Sequence, residues 1–116
     1  MAYQVVKDRK VWWPVIVRVQ QDGGKIAEKR FSAQYTVLTR SQRKSLEEKL
    51  KTMIEDEAAE ELLKFVHDWK DIIDEDKKEL PFSRDEYFNL IEDEAFSTAL
   101  SFGLYNASLG VPVKNS

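Results

Sequence analysis

The chain has 116 residues, a formal net charge of −3 and no cysteine. Its length suits a single domain, and the lack of cysteine excludes disulfides, a zinc–thiolate site and a cysteine nucleophile. Its hydrophobic fraction of 42% and charged fraction of 34% are typical of a globular fold with strongly solvated helix faces.

The sequence predicts a cytoplasmic location. The first ten residues lack the apolar run of a signal peptide, and no stretch approaches the ~20 apolar residues that span a bilayer. A secreted domain of this size often needs disulfides, so the lack of cysteine also favours a reducing compartment. The net negative charge gives no electrostatic basis for nucleic acid or an anionic membrane as the main partner.

After a polar lead-in over residues 1–9, residues 10–38 are predicted to form a β-hairpin with one apolar face. Apolar side chains recur at every second position in two segments, as in half-buried strands. They are Val11, Trp13, Val15, Val17 and Val19, then Phe31, Ala33, Tyr35 and Val37. Gly23 and Gly24 supply the turn, because glycine adopts positive φ without a Cβ clash. Pro14 has no amide hydrogen, so the first strand begins late or lies at an edge.

Residues 39–110 are predicted to be helical, with about four helices. Thr39 and Gln42 fit a capping box at the start of the first helix. Its apolar positions are Leu46, Leu50, Met53 and Ile54. A second helix is predicted from near Asp56, with an apolar stripe that continues as far as Ile73. That stripe, which is expected to be buried, consists of Ala59, Leu62, Val66, Trp69 and Ile73.

The rest of the helical part is divided by a charged segment. Residues 74–82 predict an exposed loop that ends in an apolar anchor. Ser83 then caps a short helix. The last helix is predicted over residues 93–109, with Gly110 and Pro112 as stop signals.

The predicted fold class is α+β, with an N-terminal β-hairpin or small antiparallel sheet packed on about four α-helices. A hairpin alone is only marginally stable, so it must pack on the helices. Residues 1–116 are expected to form a single domain that ends in a short tail over residues 111–116.

No catalytic or metal-binding constellation is visible in the sequence. His67 is the only histidine, and no cysteine is present to complete a metal site or a nucleophile–base pair with it. The carboxylates fall in runs along helix faces rather than in isolated pairs. The run at Asp74 resembles the start of a calcium loop, but it lacks the glycine at the sixth position and has Asp85 at the twelfth. We therefore expect no enzyme activity, no metal and no cofactor.

Trp12 and Phe82 are the candidate partner-binding residues, because neither is easily assigned to an apolar stripe. A place in the core is the alternative for either. The Trp12-Trp13 pair beside Arg9 and Lys10 would also be able to stack on single-stranded nucleic acid. Strand tryptophans more often lie in a core or a protein interface, so neither nucleic acid nor membrane is expected as a partner.

The chain also contains a series of short motifs in a recognisable order. They are Trp13-Pro14-Val15, Asp22-Gly23-Gly24, Phe31-Ser32-Ala33-Gln34-Tyr35, Phe65-Val66-His67-Asp68-Trp69, Leu80-Pro81-Phe82-Ser83 and Gly110-Val111-Pro112-Val113-Lys114-Asn115. In this series, which covers roughly residues 12–115, the chain resembles the tail assembly chaperones of lambda-like siphophages and prophages.

The resemblance implies a protein of the bacterial host cytoplasm that binds the tape measure protein before tail tube subunits polymerise around it. The tail tube protein is a further partner under this hypothesis, and self-association is left open. The family contributes no catalytic residues. The alternatives are a head–tail or tail structural adaptor retained in the virion, and a small regulatory binding module. We expect client binding to tolerate the loss of His67 or of any one carboxylate, because no constellation makes such a group indispensable.

A frameshift near the end of the gene is the genetic expectation from this resemblance. Val113-Lys114-Asn115 can be encoded by a valine codon ending in A, then AAA, then AAC, which gives the heptamer A-AAA-AAC. Both tRNAs can re-pair on this heptamer after slipping back by one nucleotide. We expect the coding DNA to contain it, followed by an overlapping frame and a downstream gene of tape-measure length. An ordinary intergenic region without an overlapping frame would argue against a frameshift-type tail chaperone.

Overall fold

The computed structural model describes residues 1–111 as an antiparallel sheet of three strands with α-helices packed against one face. The strands are β1 (Lys10–Gln20), β2 (Ile26–Thr36) and β3 (Val66–Lys70), in the spatial order β1-β2-β3. The helices are α1 (Arg40–Thr52), α2 (Glu55–Leu63), α3 (Arg84–Leu90) and α4 (Glu94–Leu109). The predicted α+β class is confirmed. The predicted stop at Pro112 and the motif at residues 113–115 lie outside the described residues.

The predicted N-terminal hairpin is confirmed, as is the position of its turn. β1 and β2 pair along their whole length, and the predicted inward residues Val15 and Phe31 lie directly opposite each other and are buried. A short 3-10 turn at Asp22–Gly24 joins the strands, and Gly23 has a φ of 78° there. β1 lies at the edge of the sheet, which is where Pro14 can be accommodated without the loss of a ladder hydrogen bond.

The prediction of a long second helix is wrong beyond Leu63. α2 ends there, and residues 66–70 form β3, which pairs antiparallel with β2. The amides of Lys64 and Phe65 bond to carbonyls three residues back, which closes the helix in tight turns. The carbonyl of Phe65 then accepts the amide of Thr36 at 3.0 Å, so pairing with β2 begins at once.

A β-bulge explains why this strand has the spacing of a helix. Tyr35 pairs with Val66, whereas the residue before Tyr35 pairs with Asp68, so His67 is an extra residue in β3. In a regular strand, side chains three positions apart face opposite sides of the sheet. The bulge turns Val66 and Trp69 to the same side, where they are 3% and 4% exposed. Apolar spacing of this kind is the pattern expected of an amphipathic helix.

The prediction that Trp69 is a core residue is confirmed, although it lies in a strand. Its indole N–H donates to the carbonyl of Leu80 at 2.8 Å. Its ring lies 4.8 Å from the Phe82 ring and 6.0 Å from the Phe96 ring, measured between centroids. The loop after β3 is thereby anchored at Phe82, as predicted. Ile73, which was predicted on the same buried stripe, is instead 57% exposed.

α1 is capped as predicted but is only partly buried. The Thr39 hydroxyl accepts the amide of Gln42, and the Gln42 side chain accepts the amide of Thr39. Of the apolar residues predicted for this helix, Leu46 is buried and Leu50 is 42% exposed, whereas Met53 and Ile54 lie beyond its end at Thr52. α1 therefore buries one of its two leucines and exposes the other.

The remaining helix boundaries follow the predictions. The Ser83 hydroxyl accepts the amide of Glu86 at the start of α3, and Asp93 caps α4. Gly110 ends α4 with a φ of 68°, a conformation that favours glycine. The buried face of α4 includes the predicted residues Phe96, Leu100, Gly103, Leu104 and Ala107.

α4 approaches the sheet closely at Gly103. The hydroxyl of Tyr35 and a methyl group of Val15 occupy the space that a Cβ at this position would need. The same hydroxyl donates to the carbonyl of Leu100 at 2.7 Å. Burial raises the pKa of Tyr35, so the phenol stays protonated as a donor. Glycine therefore makes room for the bond that ties α4 to β2.

We expect Gly103→Ala to destabilise the protein by about 1–3 kcal/mol, because its methyl group would collide with the Tyr35 hydroxyl. The cost arises although alanine is the better helix former by about 1 kcal/mol. In a Tyr35→Phe background the closest atom is gone, so the same substitution should cost less. Urea unfolding of the four proteins measures this coupling. Equal costs in the two backgrounds would contradict the close approach.

Candidate protein-binding groove

A cavity of about 410 Å³ lies between the helices, and it is termed the helix groove below. Each α-helix within residues 1–111 contributes side chains to its lining. Apolar lining residues include Leu46, Leu50, Leu62, Tyr87, Ile91 and Leu104. An apolar groove of this kind is a candidate docking surface for a binding partner.

The floor of the helix groove is buried, and one side is open. Leu62, Tyr87 and Leu104 are 7%, 0% and 2% exposed, whereas Leu50 on α1 is 42% exposed. The Tyr87 hydroxyl donates to the carbonyl of Ala59 at 2.8 Å. Burial raises the pKa of Tyr87 to about 12, so its hydroxyl is neutral at physiological pH. The floor is therefore apolar and uncharged, and the exposed Leu50 of α1 lies at its opening.

Polar contacts connect α1 to α4 across the helix groove. Arg43 donates to the Tyr105 hydroxyl at 3.1 Å, and that hydroxyl donates in turn to the Glu47 carboxylate. The Arg43 guanidinium also lies 3.6 Å from the Glu47 carboxylate. Leu46 adds a buried apolar contact in the same half of α1. Leu50, in the C-terminal half of α1, lies exposed at the opening of the helix groove.

Carboxylates dominate the rim of the helix groove. Among residues 1–111, five acidic side chains line the cavity, against one basic side chain, Arg43. The five are Glu47, Glu55, Asp56, Glu92 and Glu94. The helix groove thus combines an apolar floor with a negatively charged rim.

Trp12, which the sequence suggested as a partner-binding residue, lies on the sheet face away from the helices. It is 41% exposed, and the ammonium group of Lys70 lies 4.5 Å from its ring centroid. The neighbouring Trp13 packs against the core, and its buried indole N–H has no acceptor among residues 1–111. Trp12 is accessible to a partner, and its role in binding stays a prediction.

Phe82, the second candidate, is half-buried against the core. Its ring packs on Trp69, with an angle of 51° between the ring planes. This packing gives Phe82 a structural role in anchoring the loop, and its role in binding stays a prediction. The structure does not bring Trp12 and Phe82 together in one surface, because Trp12 lies on the uncovered face of the sheet.

The sequence does not predict the helix groove. Leu50 was predicted only as an apolar position of the first helix, and its exposure depends on how α1 lies against the other helices. The one feature of the sequence that indicates an exposed helix face is the composition of α1, in which Leu46 and Leu50 are the only apolar residues among 13 positions. So narrow a stripe cannot bury a whole helix face.

His67 lies at the bulge of β3 and forms a hydrogen bond with the hydroxyl of Thr36. Partial burial, and then the positive charge of Lys10, lower the pKa of His67 from its ordinary value of 6.5. Residues 1–111 contain no group of three or more His, Asp or Glu side chains arranged to hold a metal ion. The imidazole of His67 is thus hydrogen-bonded and lies in β3, at the edge of the sheet.

No helix in the described part of the chain combines the length and apolar character needed to cross a membrane. Comparison of the chain with protein-family models, with curated proteins and with solved structures finds no match.

We expect protein stability to fall as the pH is lowered from about 7.5 to 5.5, in part through His67. Its pKa is lower in the folded state, so the unfolded chain takes up the proton first once the pH passes below 6.5. The stability contributed by neutral His67 is complete above that pH and is lost progressively below it. Urea midpoints at several pH values should fall less steeply for His67→Gln. Parallel pH profiles for the two proteins would contradict the lowered pKa.

Proposed function

We propose that this protein is an assembly chaperone that binds a helical client protein in the helix groove. The tape measure protein of a long-tailed phage is the proposed client. The observation that carries the proposal is the groove itself, which has a buried apolar floor and an exposed Leu50 at its edge. An apolar groove of this kind is a recurrent docking site for an amphipathic helix. The resemblance of the short motifs to those expected of tail assembly chaperones is the reason for proposing this client.

The dimensions of the surrounding helices suit such a partner. α1 has 13 residues, which corresponds to a length of about 20 Å. A client helix lying along it would present about three or four turns, with apolar anchors at positions i, i+3 or i+4, and i+7. Contacts limited to a few anchors allow the client to be released, which an assembly chaperone requires and a permanent subunit does not.

We expect Leu50→Gln to weaken binding of the tape-measure-like protein encoded near this gene by at least about tenfold. The substitution replaces an apolar anchor point with a hydrated amide, and a loss of about 1.4 kcal/mol corresponds to tenfold. Binding can be measured by titration of the purified parent and variant proteins with a labelled fragment of the client. Folding should be unaffected, because Leu50 is already 42% exposed.

Leu109→Gln is the matched control, because Leu109 is a 52% exposed leucine of α4 that does not line the groove. Trp12→Ala tests the uncovered face of the sheet in the same assay. A loss of binding with Trp12→Ala but not with Leu50→Gln would move the binding surface to the sheet. If the parent protein bound no helical client from its own gene neighbourhood, the chaperone function would be contradicted.

A further inference from the structure

We propose that the client segment seated in the helix groove is a basic amphipathic helix. Its apolar stripe would lie on the groove floor, and its Lys or Arg side chains would face the carboxylates of the rim. This inference rests on the proposed function and adds the chemistry of the partner. The inference needs both the apolar floor and the acidic rim, because neither feature alone selects a basic amphipathic helix.

The rim has an excess of negative charge that the groove does not neutralise. The Arg43 guanidinium is already engaged by Tyr105 and Glu47. None of the other rim carboxylates forms an ion pair within residues 1–111. They are Glu55, Asp56, Glu92 and Glu94. Basic side chains of a partner would therefore meet carboxylates that are free to bind them, beside a low-dielectric floor that strengthens the attraction.

Helix stabilisation accounts for only part of this charge. Glu55 and Asp56 lie in the first turn of α2 and Glu94 in the first turn of α4, where negative charge complements the helix dipole. Glu92 lies between the C-terminal end of α3 and Asp93, the N-cap of α4, so the two helix dipoles act on its charge in opposite senses. Glu47 lies in the middle of α1. The dipoles of α2 and α4 therefore account for three of the five rim carboxylates, and Glu47 and Glu92 owe no comparable stabilisation to a helix end.

The carboxylates also come from separate segments of the chain. Glu55 and Asp56 belong to α2, whereas Glu92 and Glu94 belong to the junction between α3 and α4. All four line the same cavity as the buried floor residue Leu62. A helix with one apolar stripe and basic residues beside it satisfies both features at once. A purely apolar helix would leave the carboxylates desolvated and unpaired, which is costly.

The experiment compares three model peptides of about 18 residues, or five helical turns, by fluorescence anisotropy with the full chain. The first has a leucine stripe flanked by lysines, the second has the same stripe flanked by glutamates, and the third has the lysines with the stripe scrambled. The groove variant combines Glu55→Gln, Asp56→Asn and Glu92→Gln. The control variant, with the same changes outside the groove, combines Glu57→Gln, Asp76→Asn and Glu79→Gln.

Glu57 shares the first turn of α2 with the groove residues, so the control also removes one dipole-stabilising charge. Urea midpoints of both variants establish that they are folded. We expect the lysine-flanked peptide to bind at least about tenfold more tightly than the glutamate-flanked one. The groove variant should bind it about tenfold more weakly than the parent, with little change in the control variant. Raising the salt from about 0.05 M to about 0.5 M should reduce the difference.

Equal affinities for the first two peptides, or equal losses in the two variants, would overturn the inference. Binding of the scrambled peptide as tight as that of the intact stripe would also overturn it, because charge alone would then suffice. Sedimentation that showed a dimer of the parent, dissociated by the groove substitutions, would assign the groove to a second copy instead. Client binding lost in Leu50→Gln but unchanged in the groove variant would contradict the basic partner and leave the chaperone function standing.

Discussion

The hydroxyl of Tyr35 reaches from the centre of the sheet to the carbonyl of Leu100 in α4, and this bond depends on the missing side chain at Gly103. A buried phenol without an acceptor would cost about 1–3 kcal/mol, so the bond favours one rotation of the helix over others. The amide of Leu38, beyond β2, donates to the hydroxyl of Ser108 at 3.0 Å and fixes the far end of α4. The position of α4 is therefore set by the sheet.

The helix groove follows from that position. With one side of α4 packed on the sheet, Leu104 also contributes to the groove floor and Tyr105 reaches Arg43 on α1. α1 has one buried apolar contact, through Leu46, and its further leucine stays open. The same packing that buries the core residues thus leaves the helix groove beside the core. The carboxylates of the rim keep the helix groove solvated. Because the rims of two molecules carry the same charge, they repel each other, which disfavours packing of one groove against another.

The parts of the fold that follow local rules were predictable from the sequence. Alternation around Val15 and Phe31 predicted the hairpin, and Thr39 and Gly110 marked helix ends, because capping and pleating depend on near neighbours. β3 was not predictable in this way, since the bulge at His67 gives a strand the apolar spacing of a helix. Only its pairing with β2, which is remote in the sequence, distinguishes the two.

The groove was hidden from the sequence for a related reason. Whether Leu50 is buried or exposed depends on the distance between α1 and the other helices, and no local pattern reports that distance. Trp12 was identified as difficult to place in the core, and its 41% exposure agrees with that difficulty. Phe82 raised the same difficulty, but its contact is Trp69, whose place in a strand the helical pattern concealed.

Chemical-shift mapping of the labelled protein with a bound client helix tests the central claim most directly, because it reports both surfaces in one experiment. Binding in the helix groove should shift the methyl signals of Leu50, Leu62 and Leu104 and leave the indole signal of Trp12 unchanged. If the Trp12 indole signal shifted while the signals of the three leucines did not, the client would bind the uncovered face of the sheet, and the helix groove would not be the functional site.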